Sequence, residues 1–407
     1  RMKLGLFEEK ANTPFDEIPY TAVDSAQMQA LNLKAAEKCV VLLKNENNLL
    51  PLDKSGIKTL GVIGPNANNR KALIGNYEGT ASRYFTIAEG IQEYVGDDVR
   101  VLVSEGCHLY QDKISNLSKG QDRDSEVKAI CDASDVIVMC LGLDSGLEGE
   151  EGDQGNQYAS GDKPNLNLPG RQQEILEIAC ASGKPVVLVL LSGSALAVEW
   201  ADEHVPAVLQ GWYPGAQGGR AIARILFGEK NPEGRMPVTF YRTLEELPAF
   251  TDYSMKGRTY RYMTNEALYP FGYGLSYTDF TYTDASVSCD TVGEEGIEVK
   301  AVVANTGSRE GTETVQVYVK ADREGTPNAQ LKGIRKVTLQ PGESKEIVIK
   351  LPVSAFALYD EQAVNRVGAG KYLVSIGGTQ PENRSEKLTG KKVSVLPVMV
   401  SKEMILA

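Results

Sequence analysis

The residues best suited to chemistry form one dense run of carboxylates. From Cys140 the sequence reads CLGLDSGLEGEEGDQGNQYASGDKPNLNLPG. It carries Asp144, Glu148, Glu150, Glu151, Asp153 and Asp162, and no Lys or Arg falls between Lys128 and Lys163. Carboxylates packed this closely repel one another. A neighbouring negative charge, or burial, lifts a carboxyl pKa above the value of about 4.3 for free glutamate. A carboxyl that keeps its proton near neutral pH can act as a general acid toward a poor leaving group, such as the departing oxygen of a glycosidic bond. Two plainer readings compete: a solvated acidic loop and a calcium site. The acids do not fall at the alternate positions, followed by a Gly and a later Glu, that an EF-hand requires.

Other conspicuous residues read as structural. Pro214, Gly215, Gly218 and Gly219 sit between a strand and a helix, where a glycine turn can hold an anion. The spacing is not GxGxxG and no Lys-Ser/Thr follows, so close packing is the better account. Tyr269, Phe271, Tyr273 and Tyr277 could line a sugar site, but they fall where two domains meet, which favours interface packing. Trp212 reads as core, with a sugar platform as the alternative. His108 and His204 belong to no constellation.

The acidic run needs a scaffold. Short apolar runs at Leu60–Ile63, Val101–Val103, Val136–Leu143, Pro185–Leu191 and Ala207–Gln210 suit strands buried on both faces. Helical patterns alternate with them at Arg171–Ala181 and Gly219–Phe227. Another runs from Asp24 or Ser25 through Lys44. Strand–helix alternation predicts an α/β fold, a mostly parallel sheet with helices on both faces. The acidic run then lies at the carboxyl end of a strand, where such folds place ligand chemistry. After Ser276 the period falls to two: Ile297, Val299, Ala301 and Val303, then Val315, Val317 and Val319, then Ile347, Ile349 and Leu351. Asn305-Thr306-Gly307, Pro341-Gly342 and Gly368-Ala369-Gly370 mark turns. This grammar predicts an all-β immunoglobulin-like sandwich, and without a Cys…Trp…Cys pattern the fibronectin type III-like variety fits. The expected organisation is a linker at 1–23, the α/β domain at 24–250, a connecting segment at 251–275, the sandwich at 276–398 and a tail at 399–407.

Bulk properties narrow the classes. A net charge of -11 argues against binding nucleic acid or an anionic membrane. No apolar run approaches the ~20 residues of a membrane helix. The six cysteines form no CxxC pair and mostly adjoin apolar runs, which predicts buried free thiols and a reducing, cytoplasmic compartment, with secretion left open. With two histidines, a His/Cys zinc site is not expected.

Four stretches together resemble the C-terminal region of glycoside hydrolase family 3, the family of β-glucosidases and β-xylosidases. They are VVLLKNENNLLPL at 40–52 with VIGPNA at 62–67; the acidic run with LNLPGRQQEIL at 166–176; GWYPGAQGGRAIARILFGEKNPEGRMPVTF at 211–240; and GRTYRYMTNEALYPFGYGLSYT at 257–278. NTGSREG at 305–311 and LKGIRKVTLQPGES at 331–344 resemble the family's fibronectin-like domain.

The resemblance implies a three-part retaining exo-β-glycosidase. A barrel supplies a nucleophilic aspartate, the α/β domain supplies a glutamate acid/base on a loop, and the sandwich supports the pair. RMKLGLF resembles the linker after the barrel, so the barrel and its nucleophile are expected to lie outside this polypeptide. In members where the acid/base shortly precedes an Asp-Arg pair, the pattern falls on Glu150, with Asp153 as the Asp; Glu148 and Glu151 are the alternatives. Gln154 stands where the family often has Arg, and NQYASGDKPN extends the loop. The implied substrate is a terminal β-D-glucoside or β-D-xyloside, the implied partner is the barrel, and no cofactor or metal is called for; a homo-oligomer is left open. Two other classes stand beside this reading: a non-catalytic carbohydrate-binding or structural module, and a nucleotide-binding α/β domain, which lacks a fingerprint glycine loop.

Overall fold

A computed structural model describes residues 1–9, 13–149 and 163–406. The first helix, α1 (Ala26–Cys39), starts at Ser25, whose hydroxyl accepts from the Met28 N–H. It stops well short of Lys44. Val41–Asn45 is instead a strand, β1, paired antiparallel with β6 (Ala207–Gln210). The apolar run Val40–Leu43 continues the helical pattern, but burying all four residues on both faces of a sheet edge overrides it.

Between them come β2 (Thr59–Ile63), α2 (Ile87–Val95), β3 (Arg100–Ser104), α3 (Asp124–Ala133), β4 (Val136–Gly142), α4 (Gln172–Ala181), β5 (Val186–Leu191) and α5 (Glu199–His204); α6 (Gly218–Leu226) follows β6. The sheet order is β1-β6-β5-β4-β2-β3, and every pair except β1–β6 is parallel. β4 and β5 are buried along their whole length, because helices cover both faces. Ile137, Met139 and Leu141 face α3 and α4, while Val136, Val138 and Cys140 face α2 and α6. The helices α2 and α6 touch through glycines: a Cβ on Gly90 would lie 2.1 Å from the Gly219 carbonyl carbon, and one on Gly219 would lie 1.9 Å from the Thr86 oxygen. The glycines after Pro214 therefore serve packing.

A short helix, α7 (Thr259–Tyr262), precedes the sandwich. Its strands are β7 (Phe280–Val287), β8 (Ile297–Asn305), β9 (Gly311–Ala321), β10 (Gln330–Leu339), β11 (Ser344–Leu351), β12 (Leu358–Tyr359), β13 (Asn365–Val367), β14 (Gly370–Gly377), β15 (Ser394–Val400) and β16 (Met404–Ile405), with α8 (Asn383–Thr389) before β15. Sheets β10-β9-β14-β15 and β11-β8-β7 enclose one core, and β8 alternates buried and half-buried positions along its length. β15 runs on to Val400 and β16 pairs with β13, so residues 399–406 complete the sandwich where a tail was expected. The segment at 251–275 is likewise more than a connection. Leu268, Tyr269 and Tyr273 belong to the α/β core. Gln316 of β9 donates to the Gly272 carbonyl, and Arg384 of α8 pairs with Asp202 of α5 at 2.7 Å.

Candidate active site

The acidic loop leaves the carboxyl end of β4, the strand next to the point where the connections reverse direction. Gln172, wholly buried at the start of α4, fixes that end: its Oε1 accepts from Gly142 N–H at 2.7 Å and its Nε2 donates to the Gly142 carbonyl at 2.8 Å. Asn66 donates to the Leu143 carbonyl. Asp144 then makes a turn, its Oδ1 accepting from Gly146 and Leu147 N–H, and Leu147 drops into the core.

Glu148 follows, half-buried, and is held through both carboxylate oxygens and its main-chain carbonyl. Its Oε2 accepts from Gly193 N–H at 2.7 Å and from the Tyr213 hydroxyl, and its Oε1 accepts from the Ser194 hydroxyl. Asn76 donates to its main-chain carbonyl at 2.7 Å. These partners come from the loops after β2, β5 and β6. Burial, reinforced by the adjacent Glu148 carboxylate, pushes the Tyr213 phenol up, which keeps it protonated and a donor.

The returning leg is tied to the same place. Lys163 Nζ donates to the Ala195 carbonyl at 2.5 Å, and Ala197 N–H donates to the Leu166 carbonyl at 2.7 Å. Burial pulls the Lys163 ammonium down to about 8, opposed by the attraction of Glu148. Leu166 packs with Tyr241, Met263 and Ala267. Both legs thus rest on residues 193–197, with Glu148 on Gly193 and Ser194, Lys163 on Ala195, and Leu166 on Ala197.

Of the sequence-predicted site residues, Glu148 is placed in this clamp; Glu150, Glu151, Asp153 and Asp162 lie outside the described residues. Asp144 serves a turn. Sequence reasoning missed Gly193, Ser194, Tyr213 and Lys163. Their common signal is position, since the first three follow the carboxyl ends of β5 and β6. His108 accepts from Tyr110 and Gln111 N–H, and His204 stacks on Trp200, both local roles. Trp212 donates to the Cys39 carbonyl and meets Phe240 edge-on. The hydroxyls of Tyr269, Tyr273 and Tyr277 reach Asp202, the Leu43 carbonyl and the Ile225 carbonyl, while Phe271 lies between Tyr260 and Tyr318. These aromatics are packing groups. None of the six cysteines is paired; Cys107, Cys131 and Cys140 are buried, whereas Cys39 and Cys289 are exposed, contrary to expectation.

An α/β domain that presents an acidic loop at the carboxyl edge of its sheet, braced by a β-sandwich, is the class these features define. The glycosyl hydrolase family 3 C-terminal domain matches residues 40–277, and a fibronectin type III-like domain matches 313–380. The chain belongs to glycoside hydrolase family 3. It is 34% identical over 393 residues to a β-xylosidase of Formosa agariphila, covering 93% of this chain and 52% of that protein. It is 34% identical over 412 residues to a periplasmic β-glucosidase of Salmonella typhimurium, covering 92% and 52%. Among solved structures, a family 3 exo-β-xylosidase in complex with a xylobiose aziridine activity-based probe superposes with a TM-score of 0.81 at 26% identity, over 97% of this chain and 51% of that one. A β-glucosidase from Listeria innocua in complex with glucose gives 0.79 at 27%, over 98% and 52%. The chain spans about half the length of the curated relatives it matches.

Proposed function

We propose that this chain supplies the general acid/base of a retaining exo-β-glycosidase that removes terminal β-D-glucosyl or β-D-xylosyl residues, with Glu150 as the acid/base. The observation that carries this reading is the anchored stem of the acidic loop, with Glu148 fixed at the carboxyl edge of the sheet; Glu150 follows it closely in the sequence. In the first step an aspartate of the partner barrel attacks the anomeric carbon while Glu150 protonates the leaving oxygen. In the second, water hydrolyses the glycosyl-enzyme with Glu150 as base. A retaining pair of carboxyls stands about 5–5.5 Å apart, so the barrel must dock against this edge. Met2, Leu4, Leu6, Phe7, Ile18 and Tyr20 are exposed, as are Met28 and Leu31 of α1. An apolar surface of this kind suits a covering partner. The unpaired thiols support a reducing compartment as part of the same reading.

The test is hydrolysis of aryl β-glucosides and β-xylosides by the chain alone and mixed with its barrel. Activity is expected only in the mixture. Glu150→Gln should lower turnover of substrates with poor leaving groups by about 10²–10⁴-fold. An active mixture indifferent to Glu150→Gln moves the acid/base elsewhere, and an inactive mixture favours a non-catalytic module.

A further inference from the structure

Glu148 was an alternative for the acid/base, but its surroundings suit another task. A general acid must carry a proton and turn it toward the substrate. Both Glu148 oxygens already accept, from Gly193 N–H, the Ser194 hydroxyl and the Tyr213 hydroxyl. The donors come from two separate loops, after β5 and after β6, and the main-chain carbonyl of Glu148 takes a fourth tie from a third loop, from Asn76 after β2. The returning leg is fastened to the neighbouring residues of the same β5 loop through Lys163 and Leu166. Side chains held in this way set geometry, and a displacement of about 1 Å at a reacting group can cost about 10²-fold in rate.

We infer that Glu148 is a positioning residue, a carboxylate anchor that fixes the departing leg of the acidic loop on Gly193, Ser194 and Tyr213, beside the footing of the returning leg, and so sets where the acid/base stands. The assignment rests on the proposed function for its catalytic consequence, but the anchoring itself is testable without activity. The chemistry of the clamp gives a distinction between anchor and acid. In Glu148→Gln the amide oxygen can still accept from Gly193 and Tyr213, while its NH₂ donates to Ser194, whose hydroxyl turns to accept. In Glu148→Ala all three donors lose their partner. An anchor therefore survives the first substitution and fails with the second; a general acid fails with both.

Two measurements decide it. In the chain alone, limited proteolysis within 149–162 should accelerate about tenfold or more in Glu148→Ala, by loss of the tie, with the far-UV circular dichroism and melting of the remainder retained. Glu148→Gln should stay near wild type. Equal cleavage of wild type and Glu148→Ala overturns the anchor, whatever the enzyme's activity. In the mixture with the barrel, Glu148→Ala should lose about 10²-fold in kcat on a poor leaving group with a smaller change in KM, and Glu148→Gln should recover to within about tenfold of wild type. Added azide, a nucleophile that needs no general base, should restore turnover of an activated aryl glycoside by Glu148→Ala, as it should for Glu150→Gln. If Glu148→Gln is as inactive as Glu148→Ala on poor leaving groups, Glu148 is itself the acid and the inference falls. If Glu150→Gln is unaffected while proteolysis still responds to Glu148→Ala, the anchor stands and the assignment of Glu150 falls.

Discussion

Among the described residues two glutamates accept a tyrosine hydroxyl, and they do opposite things. Glu313, at the seam between the α/β domain and the sandwich, accepts from Tyr282 at 2.8 Å and pairs with Arg235 at 2.9 Å; Glu313 is buried and the Arg235 side chain nearly so. Glu148, at the carboxyl edge of the sheet, is half-buried and takes only neutral donors. At the seam a cation closes the account of charge, so the group is structural. At the edge the negative charge stays uncancelled by any direct ion pair among the described residues, and hydrogen bonds from separate loops fix its position. The seam spends polar groups on joining domains; the edge spends them on placing a loop.

The largest test of that contrast is Glu313→Ala. It strands the Arg235 guanidinium in a buried site, and unfolding by urea should show a loss of about 3–5 kcal/mol, without faster proteolysis at 149–162. Accelerated cleavage of the loop in this variant would mean that the two regions are coupled. Next comes a matched pair of Tyr→Phe substitutions. Tyr282→Phe removes a donor from a carboxylate that water reaches poorly, and should cost about 1.5–3 kcal/mol. Tyr213→Phe acts at a half-buried carboxylate that water can reach, and should cost about 1 kcal/mol or less while still impairing turnover in the complemented enzyme. If chemical denaturation reverses that order, the assignment of stability to the seam and position to the edge is wrong. The smallest effect concerns pH. Lys163 titrates near 8 in the fold, below the ordinary lysine value, because burial disfavours its charged form. Between those two values the unfolded chain binds more protons than the folded one, so this group makes stability rise with pH from about 8 to about 10.4. Lys163→Met should flatten that rise in urea midpoints taken across the window; an unchanged slope would assign it to other groups.

The central strands could be read from the sequence because each is a short apolar run bounded by turn residues, and burial on both faces leaves nothing else for such a run to become. The sandwich was readable for the converse reason: one face of each strand meets water, so the alternation survives in the residue types. The end of α1 was not. Val40–Leu43 fits the helical spacing that precedes it, and only pairing with Ala207–Gln210, far along the chain, makes it a strand. The extent of the sandwich was misjudged for a similar reason, since Met404–Ile405 is too short to announce itself and exists as a strand through β13. At the site, the sequence located the acidic run and its place at a strand end. It could not show that Glu148 would meet Gly193, Ser194 and Tyr213, because the partners of a hydrogen bond between loops are set by the fold and leave no periodic trace.

The shared footing of the acidic loop carries a consequence for how such a loop can change. Its two legs stand on adjacent residues of one strand-end segment, so the span to be bridged is set by the scaffold and not by the length of what bridges it. The entropy of closing a loop grows only slowly, by about 0.6 kcal/mol per doubling of length. Residues between the legs can then be inserted, deleted or exchanged for those of another member while the mounting points stay where they are. Of the insert NQYASGDKPN, the part before the mounting point Lys163, NQYASGD at 156–162, is such a replaceable span, an interchangeable fitting on a standard socket.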